Sequence, residues 1–179
     1  MREDLPLSGC CLFTTTNQSD PALGEAFYNY RDYTAMGLKT VFSQHFRMEF
    51  ARKDILRGFY IQDAPLDHEI LMICEHGSFQ ITLLDVRADS ETYLQHISTS
   101  LAAEGKKALY FPRGIAYALL SLRDDSSVYC MSDRLITTAM NRTINPFDKK
   151  LNCQWPPNII VSALERTSPT VDELPHNYW

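Results

Sequence analysis

"EILMICEHGSFQITLLDVR", residues 69–87, decides the architecture. Ile70 to Cys74 form a short apolar run. Glu75, His76, Gly77 and Ser78 interrupt it, and Phe79 to Val86 resume it with long and β-branched side chains. Two apolar runs about a glycine-containing break predict a β-hairpin.

The segments on either side have the same character. "AFYNYRDY" (26–33), "KTVFSQHFRMEF" (39–50), "ILRGFYIQ" (55–62), "YLQHISTSLA" (93–102), "ALYFPRGIAYALLSLR" (108–123) and "SSVYCMSDRL" (126–135) are rich in aromatic and β-branched residues. Gly, Pro, Asp and Ser separate them, which predicts strands joined by turns. Helical periodicity is scarce. "SDPALGEA" (19–26) has a capping-like start, and "IVSALERT" (160–167) has room for a turn or two of helix. Many closely spaced strands with little helix predict an all-β antiparallel sandwich or barrel. The polar, proline-punctuated tail from Ser168 is expected to lie over the barrel or to move freely.

The 179 residues are read as one domain, 1–179, long enough to bury a core. A net charge of −5 with no dense Lys/Arg stripe excludes nucleic acid as an expected partner. "GKK" (105–107) and "DKK" (148–150) are the densest basic runs, and both read as turns. No apolar stretch reaches the ~20 residues needed to span a bilayer. The start, "MREDLPLSG", lacks the layout of a signal peptide, so a cytoplasmic location is expected. Five cysteines with no CxxC argue against a zinc site or disulfide framework; Cys74 and Cys130 read as small buried hydrophobes.

Five segments in order resemble the dTDP-4-dehydrorhamnose 3,5-epimerase family, sugar-nucleotide epimerases on a cupin-type jelly roll. "ILRGFYIQ" resembles its R-G-L-H-x-Q strand. "HGSFQITLLDVRADSETY" resembles a segment ending D-x-R-x-x-S-x-T, with Asp85, Arg87, Ser90 and Thr92 in place. "LAAEGKKALYFPRGIAYALLSL" resembles the stretch containing P-x-G-x-A-H-G-F, with Pro112 and Gly114 at its turn. "VYCMSDRL" and "QWPPNIIVSALERTSP" resemble the tyrosine-bearing strand and the C-terminal W-P…L-S-x-K-D segment. The match covers about residues 20–170. It implies a double-stranded β-helix with short C-terminal helical segments, a homodimer that exchanges N-terminal strands ("FYNY", 27–30), and no metal or other cofactor.

The resemblance also implies proton removal and return beside a 4-keto group. A His held by an Asp is the base, a Tyr the opposing acid, and a Lys lies near the developing oxyanion. Carried over by position, the acid falls on Tyr129, the Asp on Glu165, and the base on Tyr60. The lysine falls on Ile70, the second histidine on Tyr117, and an N-terminal phosphate-binding arginine on Leu23. Arg57 and Gln44 remain as expected substrate contacts.

Tyrosine titrates near 10, so Tyr60 as a base at pH 7 needs roughly 4 kcal/mol of differential stabilisation. Arg57, three positions earlier, shares a face with Tyr60 only if the strand is bulged. Strand alternation puts His45 and Arg47 on one face, Gln44 and Phe46 on the other. His45, on a strand whose family counterpart faces the cavity, and Arg47 are expected substrate contacts, and His45 and His68 are possible stand-ins for the base. Arg87 is expected to pair with Asp85 or a turn, while Arg113 is a further candidate phosphate contact. No H-x-H pair occurs, so no metal site is expected.

The resulting expectation is a sugar-nucleotide epimerase or isomerase with an altered acid/base set acting on a small-molecule substrate. The alternatives are a catalytically inactive sugar-nucleotide-binding homologue, or the same barrel recruited for isomerisation or cyclisation of a natural-product intermediate.

Overall fold

The computed structural model describes residues 1–14, 26, 28–137 and 141–174. Among these, β1 (Arg2–Asp4), β2 (Cys11–Thr14) and helix α1 (Tyr30–Ala35) precede the main run of strands. Then come β3 (Gln44–Phe50), β4 (Ile55–Gln62), β5 (Ile70–His76), β6 (Ser78–Asp85), β7 (His96–Ala102), β8 (Lys107–Phe111), β9 (Ile115–Ser121) and β10 (Ser126–Ser132). β11 (Asn141–Thr143), β12 (Ile160–Val161) and helix α2 (Ala163–Arg166) complete the order.

Two sheets form. The first runs β1-β2-β8-β5-β10-β3 and the second β11-β4-β9-β6-β7, with β12 added in parallel to β4. The fold is a cupin-type β-sandwich. The strands read at 69–87 are present, but they do not pair with each other. β5 hydrogen-bonds to β8 and β10, β6 to β7 and β9, so the chain changes sheet at Gly77. The physical reason is burial: β5 and β6 are buried on both faces along most of their length, and such strands need a covered sheet on each side rather than one another. Gly77 adopts φ +71°, and a Cβ there would overlap Ser126.

The central core lies between the sheets. It includes Phe50, Met72, Phe111 and Cys130 from the first sheet and Phe79, Ile81, Tyr117 and Leu119 from the second. Leu56, Phe59 and Leu120 face outward from the second sheet and are covered by the C-terminal segment through Ile144, Leu151, Trp155 and Val171. The tail is therefore draped over the sandwich as far as Leu174.

The outer face of the first sheet, with Phe13, Leu71, Ile73 and Ala108, is covered by Tyr33 and Leu38. Here the expected strand at 26–33 is replaced by α1. The Asn29 side chain accepts the Arg31 N–H and starts a helix, which turns Tyr33 inward against Phe13. Tyr28 stacks on Tyr33 at 5.0 Å, so neither Tyr28 nor Tyr30 belongs to a strand available for exchange. The capping-like start at 19–25 lies outside the described residues, and so do Leu23 and Phe27.

The loop after β6 is built on Asp85, whose side chain is fully buried. Its carboxylate accepts from the Arg87 guanidinium at 2.7 and 2.9 Å, from Ser90 at 2.6 Å and from Thr92 at 2.6 Å. Burial alone would raise its pKa, but these donors outweigh it and hold the carboxyl at about 2.

Candidate active site

Side chains from the inner faces of β3 and β4 come together at the margin of the central core, and the space between them is the candidate cleft. Phe46 and Met48 line one side and Ile55 and Tyr60 the other, all only partly buried. β4 is irregular here. Against β9, Arg57 pairs with Leu119 but Tyr60 pairs with Tyr117, so β4 carries one extra residue between them. This is a β-bulge at Gly58–Phe59. Gly58 has φ +108°, and a Cβ there would overlap the Tyr117 carbonyl oxygen. The bulge shifts the alternation, so Arg57 and Tyr60 both face the sandwich interior.

Arg57 lies over the Phe50 ring, 4.5 Å from its centroid. Among the described residues it has no carboxylate partner. The other arginines considered for phosphate are all engaged. Arg87 is bonded to Asp85, Arg113 to Asp133 and, at 3.5 Å, to Glu69, and Arg47 to Glu49 at 2.8 Å.

Tyr60 donates its hydroxyl to Glu165 Oε1 at 3.1 Å. Glu165 is 3% exposed and reaches the site from α2, whose N-cap Ser162 also donates to Glu165 Oε2. Burial, the charge of Glu165 and the hydrogen bond to it push the Tyr60 phenol up to about 12; Arg57 opposes this and is outweighed. The Tyr117 ring stands edge-on to Tyr60 at 5.8 Å and lies 5.3 Å from Phe111. Burial, with Cys130 and Tyr60 nearby, also raises the Tyr117 phenol. Its hydroxyl has no hydrogen-bond partner among the described residues. The opposite wall is Ile70, Met72 and Cys130, all fully buried, and burial raises the Cys130 thiol.

Other sequence candidates fall elsewhere. Tyr129 faces away from the cleft, on the outer side of the first sheet with Ile73 and Met131. It is hydrogen-bonded to His45 Nδ1 at 2.9 Å and sits opposite Arg47 in the register. The predicted alternation of β3 holds, and it carries His45 and Arg47 out of the cleft along with Tyr129. Gln44 faces inward, but its Oε1 accepts the Ile136 N–H at 2.6 Å. His68 is 8% exposed in the loop after β4, where burial lowers its pKa and its Nδ1 has no partner.

Two residues that carry no obvious signal in the sequence belong here. Gln62, 1% exposed and two positions after Tyr60, donates through Nε2 to the Thr137 carbonyl at 3.1 Å. With Gln44 it holds the 136–137 backbone across the cleft. Alternation from Tyr60 could have found it. Ser162, as the cap that orients Glu165, had no signal beyond the Ser-x-x-Glu spacing.

The model of the dTDP-4-dehydrorhamnose 3,5-epimerase family matches residues 4–173. The chain belongs to this family. A dTDP-4-dehydrorhamnose 3,5-epimerase of Shigella flexneri is 29% identical over 122 residues, spanning 68% of this chain and 67% of its own length. A dTDP-4-dehydro-6-deoxyglucose 3-epimerase of Streptomyces bikiniensis is 27% identical, spanning 68% of this chain and 63% of its own length. Among solved structures, a Bacillus anthracis dTDP-4-dehydrorhamnose 3,5-epimerase with TDP and PPi bound superposes with a TM-score of 0.88. It is 22% identical, covering 96% of this chain and 99% of that one. At that identity the superposition establishes the fold, and the epimerase family supplies the frame for the site.

Proposed function

We propose that the chain is an isomerase of a nucleotide-linked 4-keto-6-deoxysugar that moves protons on one face of the sugar ring only. One observation carries this reading. Tyr60, hydrogen-bonded to the buried Glu165, shares a cleft face with Arg57, which has no carboxylate partner. Arg57 is suited to the diphosphate, a bidentate anion. The sugar then lies beside Tyr60 and Tyr117.

A carbon-bound proton beside the ketone passes to the Tyr60 oxygen as the Tyr60 hydroxyl proton passes to Glu165. The C–H electron pair enters the enolate, and Tyr117 donates a hydrogen bond to the enolate oxygen. No free phenolate accumulates in this relay, so a phenol near 12 is no obstacle. Inversion of a carbon needs a donor on the opposite ring face. Tyr60 and Tyr117 come from paired positions of one sheet, and the facing wall offers Ile70, Met72 and a buried thiol. Return of the proton from the same face to its own carbon restores the substrate with its configuration retained. Delivery to the former carbonyl carbon, with the neighbouring hydroxyl giving up its proton to form the new ketone, gives a keto shift; neither outcome is an epimer.

A second reading is a sugar-nucleotide binder that moves no proton. It is favoured by the same raised Tyr60 phenol and by Ile70 at the expected lysine position. Incubation with a dTDP-4-keto-6-deoxyglucose in D₂O separates the readings by NMR. The isomerase takes up deuterium at one carbon without inversion. Labelling with inversion at both C3 and C5 refutes it, and binding without any exchange leaves the binder.

A further inference from the structure

We propose that the outer face of the first sheet holds a second small-molecule site, for an organic anion with an apolar body. A cavity of about 490 Å³ opens there, between the end of α1 and the turns at 75–77, 103–107 and 123–124. That size suits a small organic ligand. Ile73 and Ala108 give it an apolar floor, and Tyr33, Lys107 and Arg123 reach it from three elements.

Tyr33 is 1% exposed, and its ring is fixed edge-on to Phe13 at 5.3 Å. Its hydroxyl makes no hydrogen bond among the described residues and is not among the polar atoms sealed from solvent, so it is free to donate to a group bound in the cavity. Burial pushes the phenol up, so it remains a donor at every physiological pH. Lys107 has no carboxylate partner among the described residues. The acids of the rim are engaged already. Glu104 pairs with Arg123 at 2.8 Å, Glu75 binds Ser127 at 3.1 Å and Arg47 at 3.6 Å, and Asp124 accepts the Lys53 N–H at 2.7 Å. A neutral donor and an uncompensated ammonium over an apolar floor recognise a carboxylate or phosphate carrying a hydrocarbon group.

The basic run 105–107 is the turn it was read to be, and Lys107 begins β8 on its far side. The cleft of Arg57 and Tyr60 lies between the sheets, whereas Ile73 and Ala108 face out of the first sheet, so the two sites do not share a wall.

Isothermal titration of the full chain with phenyl phosphate tests this, with inorganic phosphate and benzyl alcohol as the anion alone and the body alone. Binding is expected to persist in Arg57→Gln, to weaken about tenfold in Lys107→Met and about fivefold in Tyr33→Phe, and to exceed either fragment at least tenfold. Loss of binding in Arg57→Gln, indifference to Lys107→Met, or equal affinity for inorganic phosphate overturns the proposal. Lys107→Met removes a half-buried surface charge and leaves the core intact, so a folding defect in Tyr33→Phe does not rescue it.

Discussion

The chemistry proposed for the cleft rests on a single phenol. Tyr60→Phe keeps the ring against Tyr117 and removes the relay to Glu165. Deuterium uptake is expected to fall by about 100-fold or more, with dTDP affinity changed less than twofold, as titration calorimetry would show. The pH dependence has a definite sign. A phenol raised from 10 to about 12 favours the folded protein while protonated, so its share of stability is present below pH 10 and is lost as pH rises through 12. Exchange is therefore expected to show no tyrosine ionisation between pH 7 and 10. Absorbance titration of Tyr60→Phe should lack one high-pH phenol step of the parent. Tyr60→His puts a group titrating near neutrality next to Glu165. A new limb in the pH–rate profile between about pH 6 and 8 is expected.

At the scale of an element, the β4 bulge decides which side chains can meet. Gly58→Ala adds a Cβ against the Tyr117 carbonyl at a positive φ, combining backbone strain with overpacking. A loss of about 3 kcal/mol is expected, read as a fall in Tm of roughly 10 °C. If the chain restores a regular strand instead, Arg57 and Tyr60 part to opposite faces. Exchange and dTDP binding would then fail together, unlike Tyr60→Phe. The loop after β6 gives an acid-side counterpart. A buried carboxyl held at about 2 against an ordinary 3.8 contributes about 2 kcal/mol above pH 4, lost as pH falls through 2. Asp85→Asn strands the Arg87 charge and should cost about 3–5 kcal/mol at pH 7. Its denaturation midpoint should also vary less than the parent's between pH 4 and 2.

For the whole molecule, the resemblance implies a homodimer. Light scattering is expected to give twice the 20.5 kDa chain mass, and a value at the chain mass would exclude it. The strands from Gln44 to Ser132 were largely legible, because β-branched and aromatic runs punctuated by Gly, Pro and Asp need little context. The order of motifs also gave the family. Pairing was not legible: the apparent hairpin at 69–87 is two strands of different sheets, since local pattern does not say which neighbours bury an apolar strand. The three-residue β1 and β11 and the two-residue β12 carry too few side chains for any periodicity. The site divided in the same way. Arg57, Tyr60, Tyr117 and Glu165 are residues that position in the sequence could name. Their convergence is tertiary, set by one extra residue in β4 and by a helix that arrives from 105 positions away. Tyr129, chosen by position, is carried to the other face of its sheet by the two-residue period of the strand. Sequence by itself determined the family and the strand content. Only the tertiary structure decided which side chains share a cleft, because the facing of a strand residue depends on register and bulge.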